Sequence, residues 1–469
     1  MRVLLVRHRD VDKINTRPPE SINKIHGIYP PLGIAYIAAV LEQLGHEVKI
    51  MDSQALNLTR EESRRMMENF NPDIVGATCM TSTIRGALEV AEMAKEISPD
   101  TITMLGGAQL FLYPKETLQH KCVDFGVAGE GEIVLPDLID AVEGRKHFKK
   151  IDGLVYRDGK KILYNPARRC VENLDSLPFP ARHLLPNEKY FSILAKYPFA
   201  TMITSRGCPY KCGFCFKKNL DYNLRFRSAE NVVDEIEMIL EMGFKDIWFY
   251  DDNFTANRKH AVAICKEIVG RGLDASWETL TRIDCVDRKL LGMMKKAGCR
   301  RLRYGIENGN QGILNLMKKN TTLEQARRAV KMTKEAGIET FCFFMIGYPT
   351  ETSENIKRTI DFALELDPDW AMFLNTVPYP GTDLWRLAVE NGLIGDEDYW
   401  RKFVLGKTEE RLPYNFAGLD AWVEKAYKSF YFRPKFALKT LPTIRDFRQV
   451  MRYVFGAWAL VRFKSFERL

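Results

Sequence analysis

The chain has 469 residues, of which 46% are hydrophobic and 28% charged, with a formal net charge of +8. These are globular values for two or three domains. Ten scattered cysteines do not make a disulfide framework, and no apolar run reaches the roughly 18 residues that span a bilayer. The basic excess is local. Residues 401–469 hold 15 Lys and Arg against 6 Asp and Glu, which leaves the rest near neutral.

The start, Met1–His8, reads as a short strand and not as a signal peptide. Short apolar runs follow at Val48–Asp52, Asp73–Thr78, Thr101–Leu105 and Val123–Ala128. Such runs suit buried parallel strands. Between them lie helical patterns at 33–44, 60–70, 83–97 and 132–142. Strand and helix in alternation predict a doubly wound, Rossmann-like sheet over residues 1–143. Ligands of such sheets sit beyond the carboxyl ends of the strands. Those ends carry Tyr29, Pro31 and Gly33, then Thr81 and Ser82, then Gly106, Gly107 and Gln109, then Gly129, Glu130, Gly131 and Glu132. Small residues there let a large ligand approach the backbone. Ordinary loop packing explains any one of them equally well.

A connector covers residues 144–194. Asp152–Tyr164 alternates around Asp158-Gly159 and predicts a β-hairpin, and Leu177–Arg182 is an extended Pro-rich linker. From 195 to 385 the pattern is a βα repeat. Strands are expected at Phe199–Thr204, Asp246–Tyr250, Ala275–Thr281, Arg301–Ile306, Thr340–Ile346 and Trp370–Thr376. Six units are too few for a closed eightfold barrel and predict a partial (β/α)6 barrel. Barrel sites lie at the carboxyl ends of the strands.

The first of these strands runs into Ser205-Arg-Gly-Cys208-Pro-Tyr-Lys-Cys212-Gly-Phe-Cys215. Three thiolates at C-x3-C-x2-C spacing can wrap one cubane iron–sulfur cluster, which usually takes four. Three leave one iron open for chemistry. A structural zinc site wants four closed ligands, and no fourth Cys or His lies within reach in the sequence. Later strand ends carry Asp251 and Asp252, Glu278 and Arg282, Glu307, and Ile346-Gly347. A carboxylate there can hold hydroxyls or an ammonium group, and an arginine can hold a carboxylate. A solvated loop or an ion pair is the alternative for each charge.

The triplet resembles that of the radical S-adenosylmethionine (SAM) superfamily. The resemblance implies a 4Fe-4S cluster on Cys208, Cys212 and Cys215, with SAM on the open iron. An external one-electron reductant then drives cleavage of SAM to a 5′-deoxyadenosyl radical. By the same resemblance Arg282 clamps the SAM carboxylate, and Glu307 reaches its ribose or amino group. Ile346 and Gly347 meet the adenine, and Asp251 and Asp252 line the face toward substrate. Glu278 joins them as a candidate catalytic carboxylate. The order of loops ahead of the triplet is similar to the cobalamin-binding domain of the cobalamin-dependent radical SAM class. There the segments at Tyr29–Gly33, Gly106–Gln109 and Gly129–Glu132 line the corrinoid, with Thr81 and Ser82 placed beside them. No Asp-x-His-x-x-Gly motif exists in the chain, so histidine ligation of cobalt from below is not expected. The resemblance covers about residues 1–385.

Residues 386–469 form a basic, mainly helical extension. Arg445, Arg448, Arg452 and Arg462 interleave with Phe447, Met451, Phe455, Trp458 and Leu460. A helix of this kind lies at a membrane surface or caps the barrel, and the two readings weigh equally. Nucleic acid is a weaker reading, because no known motif accompanies the charge.

These features point to a cytoplasmic enzyme, with the inner membrane surface as a site of peripheral contact. Its cofactors are a 4Fe-4S cluster, SAM and cobalamin, and its expected reaction is methylation of an unactivated carbon of a small-molecule substrate. The tail alone suggests a lipid or other hydrophobic substrate. The alternatives are a non-methylating enzyme such as an oxidative cyclase, a methylthiotransferase, and a non-enzymatic corrinoid or cluster carrier. A methylthiotransferase needs three further cysteines early in the chain, where only Cys79 and Cys122 stand. A carrier has no need of the SAM signatures at the strand ends.

Overall fold

The computed structural model describes residues 1–9, 27–192, 194–219, 223–408 and 412–440. They form two compact units. The first takes residues 1–9, 28–190, 396–408 and 412. The second takes residue 27, 191–395 and 413–440.

The first unit is built on seven strands: β1 Arg2–Arg7, β2 Glu47–Asp52, β3 Ile74–Thr78, β4 Ile102–Gly106, β5 Phe125–Val127, β6 Leu154–Asp158 and β7 Lys161–Tyr164. Their order is β2-β1-β3-β4-β5-β6-β7. Neighbours from β2 through to β5 pair in parallel, and β6 and β7 pair antiparallel. Val3 to Val6 are all buried, as a strand covered on both faces requires. Helices Leu32–Gln43, Arg60–Phe70 and Ile84–Ile97 connect parallel strands, and helix Gly131–Val142 leads from β5 to the antiparallel β6. A capping box between Thr59 and Glu62 starts the second of them. Strand order reverses about β1, which opens the ligand crevice typical of such sheets beyond the carboxyl ends of β1 and β3.

Two features depart from the sequence expectation. The hairpin at 154–164 is no free connector, because β6 adds to β5 and extends the sheet. The unit also takes back chain from beyond the barrel. Tyr399, Trp400, Phe403 and Val404 of helix Tyr399–Val404 are buried in it. Arg401 pairs with Glu116 at 2.9 Å, and the Val404 carbonyl bonds the His120 ring at 2.7 Å. An amphipathic helix remote in sequence gives no local sign of which unit it joins.

The second unit is a six-stranded, all-parallel sheet in the order β15-β14-β13-β12-β11-β8. Its strands are β8 Phe199–Met202, β11 Asp246–Phe249, β12 Trp277–Thr281, β13 Cys299–Glu307, β14 Glu339–Ile346 and β15 Trp370–Asn375. A short antiparallel ribbon, β9 Ser205–Arg206 with β10 Arg225–Phe226, flanks the loop that carries the triplet. Five helices follow the strands at 229–241, 258–270, 288–296, 323–335 and 353–366. Ser228, Asn257, Asp287, Thr322 and Thr352 cap their N-termini. Ile247, Phe249, Trp277, Leu302, Tyr304, Cys342, Phe344 and Phe373 face those helices and form the core. Burying each large apolar side chain contributes about 1.5–3 kcal/mol.

Part of the expected extension belongs to this core. Val423, Ala426, Tyr427 and Phe430 of helix Leu419–Tyr431 join it. The Tyr431 hydroxyl bonds the backbone of Ala371 in β15, donating to the carbonyl at 2.6 Å. The basic aromatic stretch from Arg445 to Phe463 lies outside the described residues. Among the described residues no helix is long and apolar enough to cross a membrane.

Candidate active site

The triplet loop leaves β8 at the carboxyl end of the sheet. Gly207 turns it with a φ of +98°, where a side chain would be strained. All ten cysteines are free thiols, with Cys212 buried and Cys208 and Cys215 partly open. The Gly213 N–H donates to the Met317 carbonyl at 2.8 Å, and its own carbonyl accepts from the Leu384 N–H at 3.1 Å. Among the described residues no three His, Cys, Asp or Glu side chains converge as they would on a single ion. A cubane instead offers a separate iron corner to each thiolate. The donor set of three unpaired thiols on one pinned loop fits that group. Burial pushes the Cys208 and Cys212 thiols up. At Cys212 the Lys319 and Arg282 cations pull the other way, and Glu307 adds to burial. Binding of a cluster would require these thiols to give up their protons.

The acidic candidates take distinct positions. Asp251 is 1% exposed and holds the start of the triplet loop. It accepts from the Thr204 N–H at 3.1 Å and the Thr204 hydroxyl at 2.9 Å, and also from the Ser205 hydroxyl. Burial raises its pKa, and those hydrogen bonds oppose the rise. Asp251 thus positions the loop, and its oxygens do not point into open space. Asp252 pairs with Lys217, from the residues just after Cys215.

Glu278 is also 1% exposed, inside a knot of three arginines. Arg303 reaches it at 2.6 Å, Arg301 at 2.8 Å and Arg300 at 3.1 Å. Arg303 also stacks 3.8 Å from the centre of the Trp248 ring. The expected catalytic carboxylate is the buried counter-ion of the sheet.

Arg282 follows β12 and lies against the triplet loop. It forks onto Asp284 at 2.9 Å through two nitrogens and donates to the Lys319 carbonyl at 2.8 Å. It lies 3.7 Å over the Tyr210 ring and 3.8 Å from the Cys212 sulfur. Glu307 ends β13 at a register shift, with φ +70°, and its carboxylate pairs with Lys319 at 2.8 Å. A non-glycine residue held there stores strain.

Ile346 and Gly347 end β14. The Ile346 carbonyl accepts from the Thr376 N–H at 2.8 Å. The Gly347 N–H donates to Glu351 at 2.7 Å, and its carbonyl accepts from the Tyr414 hydroxyl. A Cβ on Gly347 would meet Leu419 at 2.4 Å. These backbone groups, expected to meet adenine, are taken by the chain itself.

Three site residues were not singled out from sequence. Lys319 is one of two adjacent lysines, and nothing local says which is buried. Tyr210 donates or accepts at 3.0 Å with Cys285, and Asn253 accepts from the Arg282 N–H at 3.3 Å. An asparagine directly after two aspartates at a strand end was the available signal.

In the first unit the four candidate loops all lie at the carboxyl side of the sheet. Pro31 precedes helix Leu32–Gln43, and Glu130 directly precedes helix Gly131–Val142 without a side-chain cap. Around Gly33 the space a Cβ would enter is open, and around Gly106 nothing comes closer than 3.7 Å. Gly107, at φ +107°, would meet the Cys79 carbonyl at 2.5 Å with any side chain. The open space at Gly33 and Gly106 fits a broad ligand such as a corrinoid. Thr81, Ser82 and Gln109 are instead buried, and the Gln109 amide donates to Thr117 at 3.1 Å. Glu130 accepts from the Val171 N–H at 2.6 Å, and the Tyr29 carbonyl accepts from Arg7 at 2.6 Å. Glu132 lies in the first turn of its helix.

Known proteins carry both halves. A model of the B12 binding domain matches residues 21–139, and one of the radical SAM superfamily matches residues 202–363. An uncharacterized methyltransferase of Pyrococcus horikoshii is 38% identical over 88% of this chain and 90% of its own length. The anaerobic magnesium-protoporphyrin IX monomethyl ester cyclase of Rubrivivax gelatinosus is 33% identical over 77% of this chain and 67% of its own. The solved radical SAM methyltransferase TsrM of Kitasatospora setae, with cobalamin and a [4Fe-4S] cluster bound, aligns over 83% of this chain and 74% of its own. Its TM-score is 0.67 at 20% identity, which speaks for the shared fold. The chain belongs to the radical SAM enzymes that carry a B12-binding domain.

Proposed function

We propose that the chain is a cobalamin-dependent methyltransferase that installs a methyl group on an unactivated carbon of a small molecule. The observation that carries this reading is the three-thiol loop, pinned at the strand ends of a chain that also holds a B12-binding domain. When bound, the cluster and SAM supply a carbon radical, and cobalamin supplies a methyl carrier. The residues in hand hold and orient these groups. Cys208, Cys212 and Cys215 bind the cluster, Asp251 fixes the loop, and Arg282, Lys319 and Glu307 set its electrostatics. No protein nucleophile is required. Free thiols throughout and the need for a one-electron donor suit the cytoplasm. A hydrophobic substrate remains the proposal for the acceptor.

Methyl transfer is favoured over cyclisation by the relatives, since the methyltransferase match is both closer and longer than the cyclase match. The two reactions use SAM differently. Methylation consumes one SAM for the methyl group and a second for the radical. Matched formation of S-adenosylhomocysteine and 5′-deoxyadenosine is expected, with label from methyl-deuterated SAM in the product. Steady 5′-deoxyadenosine release with true substrate, but neither S-adenosylhomocysteine nor label transfer, moves the assignment to the cyclase type.

A second expectation concerns cobalt. His8, at the carboxyl end of β1, is 7% exposed with its ring against Gly86 and Nδ1 2.8 Å from the Arg9 carbonyl. With no Asp-x-His-x-x-Gly motif, the bound cobalt(II) corrinoid should lack nitrogen hyperfine splitting from a protein base. Observing that splitting, or no corrinoid uptake, counts against the proposed site.

A further inference from the structure

Two buried cations outside the triplet loop lie against it. Arg282 is 6% exposed and stands 3.8 Å from the Cys212 sulfur. Lys319 is also 6% exposed, and its carbonyl accepts from Arg282 at 2.8 Å. Its ammonium lies 5.7 Å from the centre of the ring of Phe214, the residue just before Cys215 in the loop.

The backbone is bent to send that ammonium inward. Lys318 and Asn320 both adopt left-handed conformations, at φ +51° and +55°. Lys318 turns outward to Asp383 and is 57% exposed, while its neighbour goes inward to Glu307. Glu307 is itself left-handed at φ +70°. A Cβ on Gly305 would sit 2.2 Å from the Glu307 carboxylate and 2.9 Å from the Lys319 ammonium. Three left-handed non-glycine residues thus frame a single ion pair, whose ends a side chain on Gly305 would displace. Strain of this kind is kept where the surroundings impose it, and it concentrates at functional sites.

A cubane in its 2+ state on three thiolates has a net charge of −1. One electron from an external donor takes it to −2. Net charge and hydrogen bonds to sulfur set the potential of such clusters. Out of water, nearby charges are poorly screened. We infer that Arg282 and Lys319 are positioning residues that stabilise the extra electron on the cluster, and that Glu307 is the counterweight limiting their effect. The inference rests on the reading of the triplet as a cubane site.

The test is an anaerobic redox titration of the reconstituted full chain with dithionite and mediators, followed by electron paramagnetic resonance. SAM and substrate are left out. Lys319→Gln is expected to make reduction about tenfold less favourable, a midpoint about 59 mV lower for one electron. Glu307→Gln should shift it in the opposite direction. Lys319→Arg should restore the wild-type midpoint, because it keeps the charge. A purely structural ion pair gives neither the opposed signs nor the rescue. Iron-loaded Lys319→Gln and Glu307→Gln proteins that both titrate at the wild-type midpoint, or shift together in one direction, overturn the inference. Glu307→Gln decides alone if Lys319→Gln cannot hold iron: no upward shift overturns the inference. A wild-type chain with no cluster signal would instead overturn the cubane reading.

Discussion

Cys208→Ala, Cys212→Ala and Cys215→Ala are each expected to abolish 5′-deoxyadenosine formation and to cut bound iron from about four per chain to a trace. The reason is the ligand count. A cubane on three thiolates has no spare protein ligand, so losing one leaves two, and two do not retain it. Cys79→Ala and Cys265→Ala should leave both readouts near wild type. Burial pushes the thiols of Cys79 and Cys265 up to about 12, so neither offers a thiolate at neutral pH. The triplet variants should keep their fold, because Cys208 and Cys215 are partly open and the loop is pinned independently through Gly213. Anaerobic reconstitution, iron analysis and chromatography of the cleaved SAM check this. A triplet variant that still releases 5′-deoxyadenosine would sink the assignment.

Glu278→Gln is expected to destabilise the barrel by about 3–5 kcal/mol, the cost of leaving buried cations without their counter-ion. Arg300 keeps Asp246, and Arg301 keeps Glu339 at 2.5 Å. Arg303 has less to fall back on. Beyond Glu278 it has the faces of Trp248 and, 5.2 Å away, Phe341. Cation–π contact supplies only about 2 kcal/mol when desolvated. The double variant Glu278→Leu with Arg303→Leu should recover part of the loss, since it removes both ends of the tightest pair. Chemical denaturation of the apoprotein, followed through the barrel tryptophans, reads the effect. A stability change under about 1 kcal/mol together with lost SAM cleavage would return Glu278 to a catalytic role.

The sequence alone determined what is local. Cys208, Cys212 and Cys215 lie within one turn-rich loop, so their spacing already states the ligand set. The parallel strands are short apolar runs, and a period of two or of 3.6 is legible in a handful of residues. Even the partial barrel followed from counting six such units.

Tertiary structure decided which charges are free. Asp251 is separated from Thr204 by 47 positions, and Glu278 from Arg303 by 25. Only the parallel pairing of β8, β11, β12 and β13 brings them together. A carboxylate at a strand end looks the same in sequence whether it meets a ligand or a buried arginine. Lys318 and Lys319 are likewise identical until two left-handed residues send one outward and the other inward to Glu307. The return of residues 396–408 to the first unit, and of helix Leu419–Tyr431 to the barrel core, follows the same rule. An amphipathic helix carries its apolar face in its own sequence, but the surface that covers that face belongs to distant chain, and the fold alone selects it.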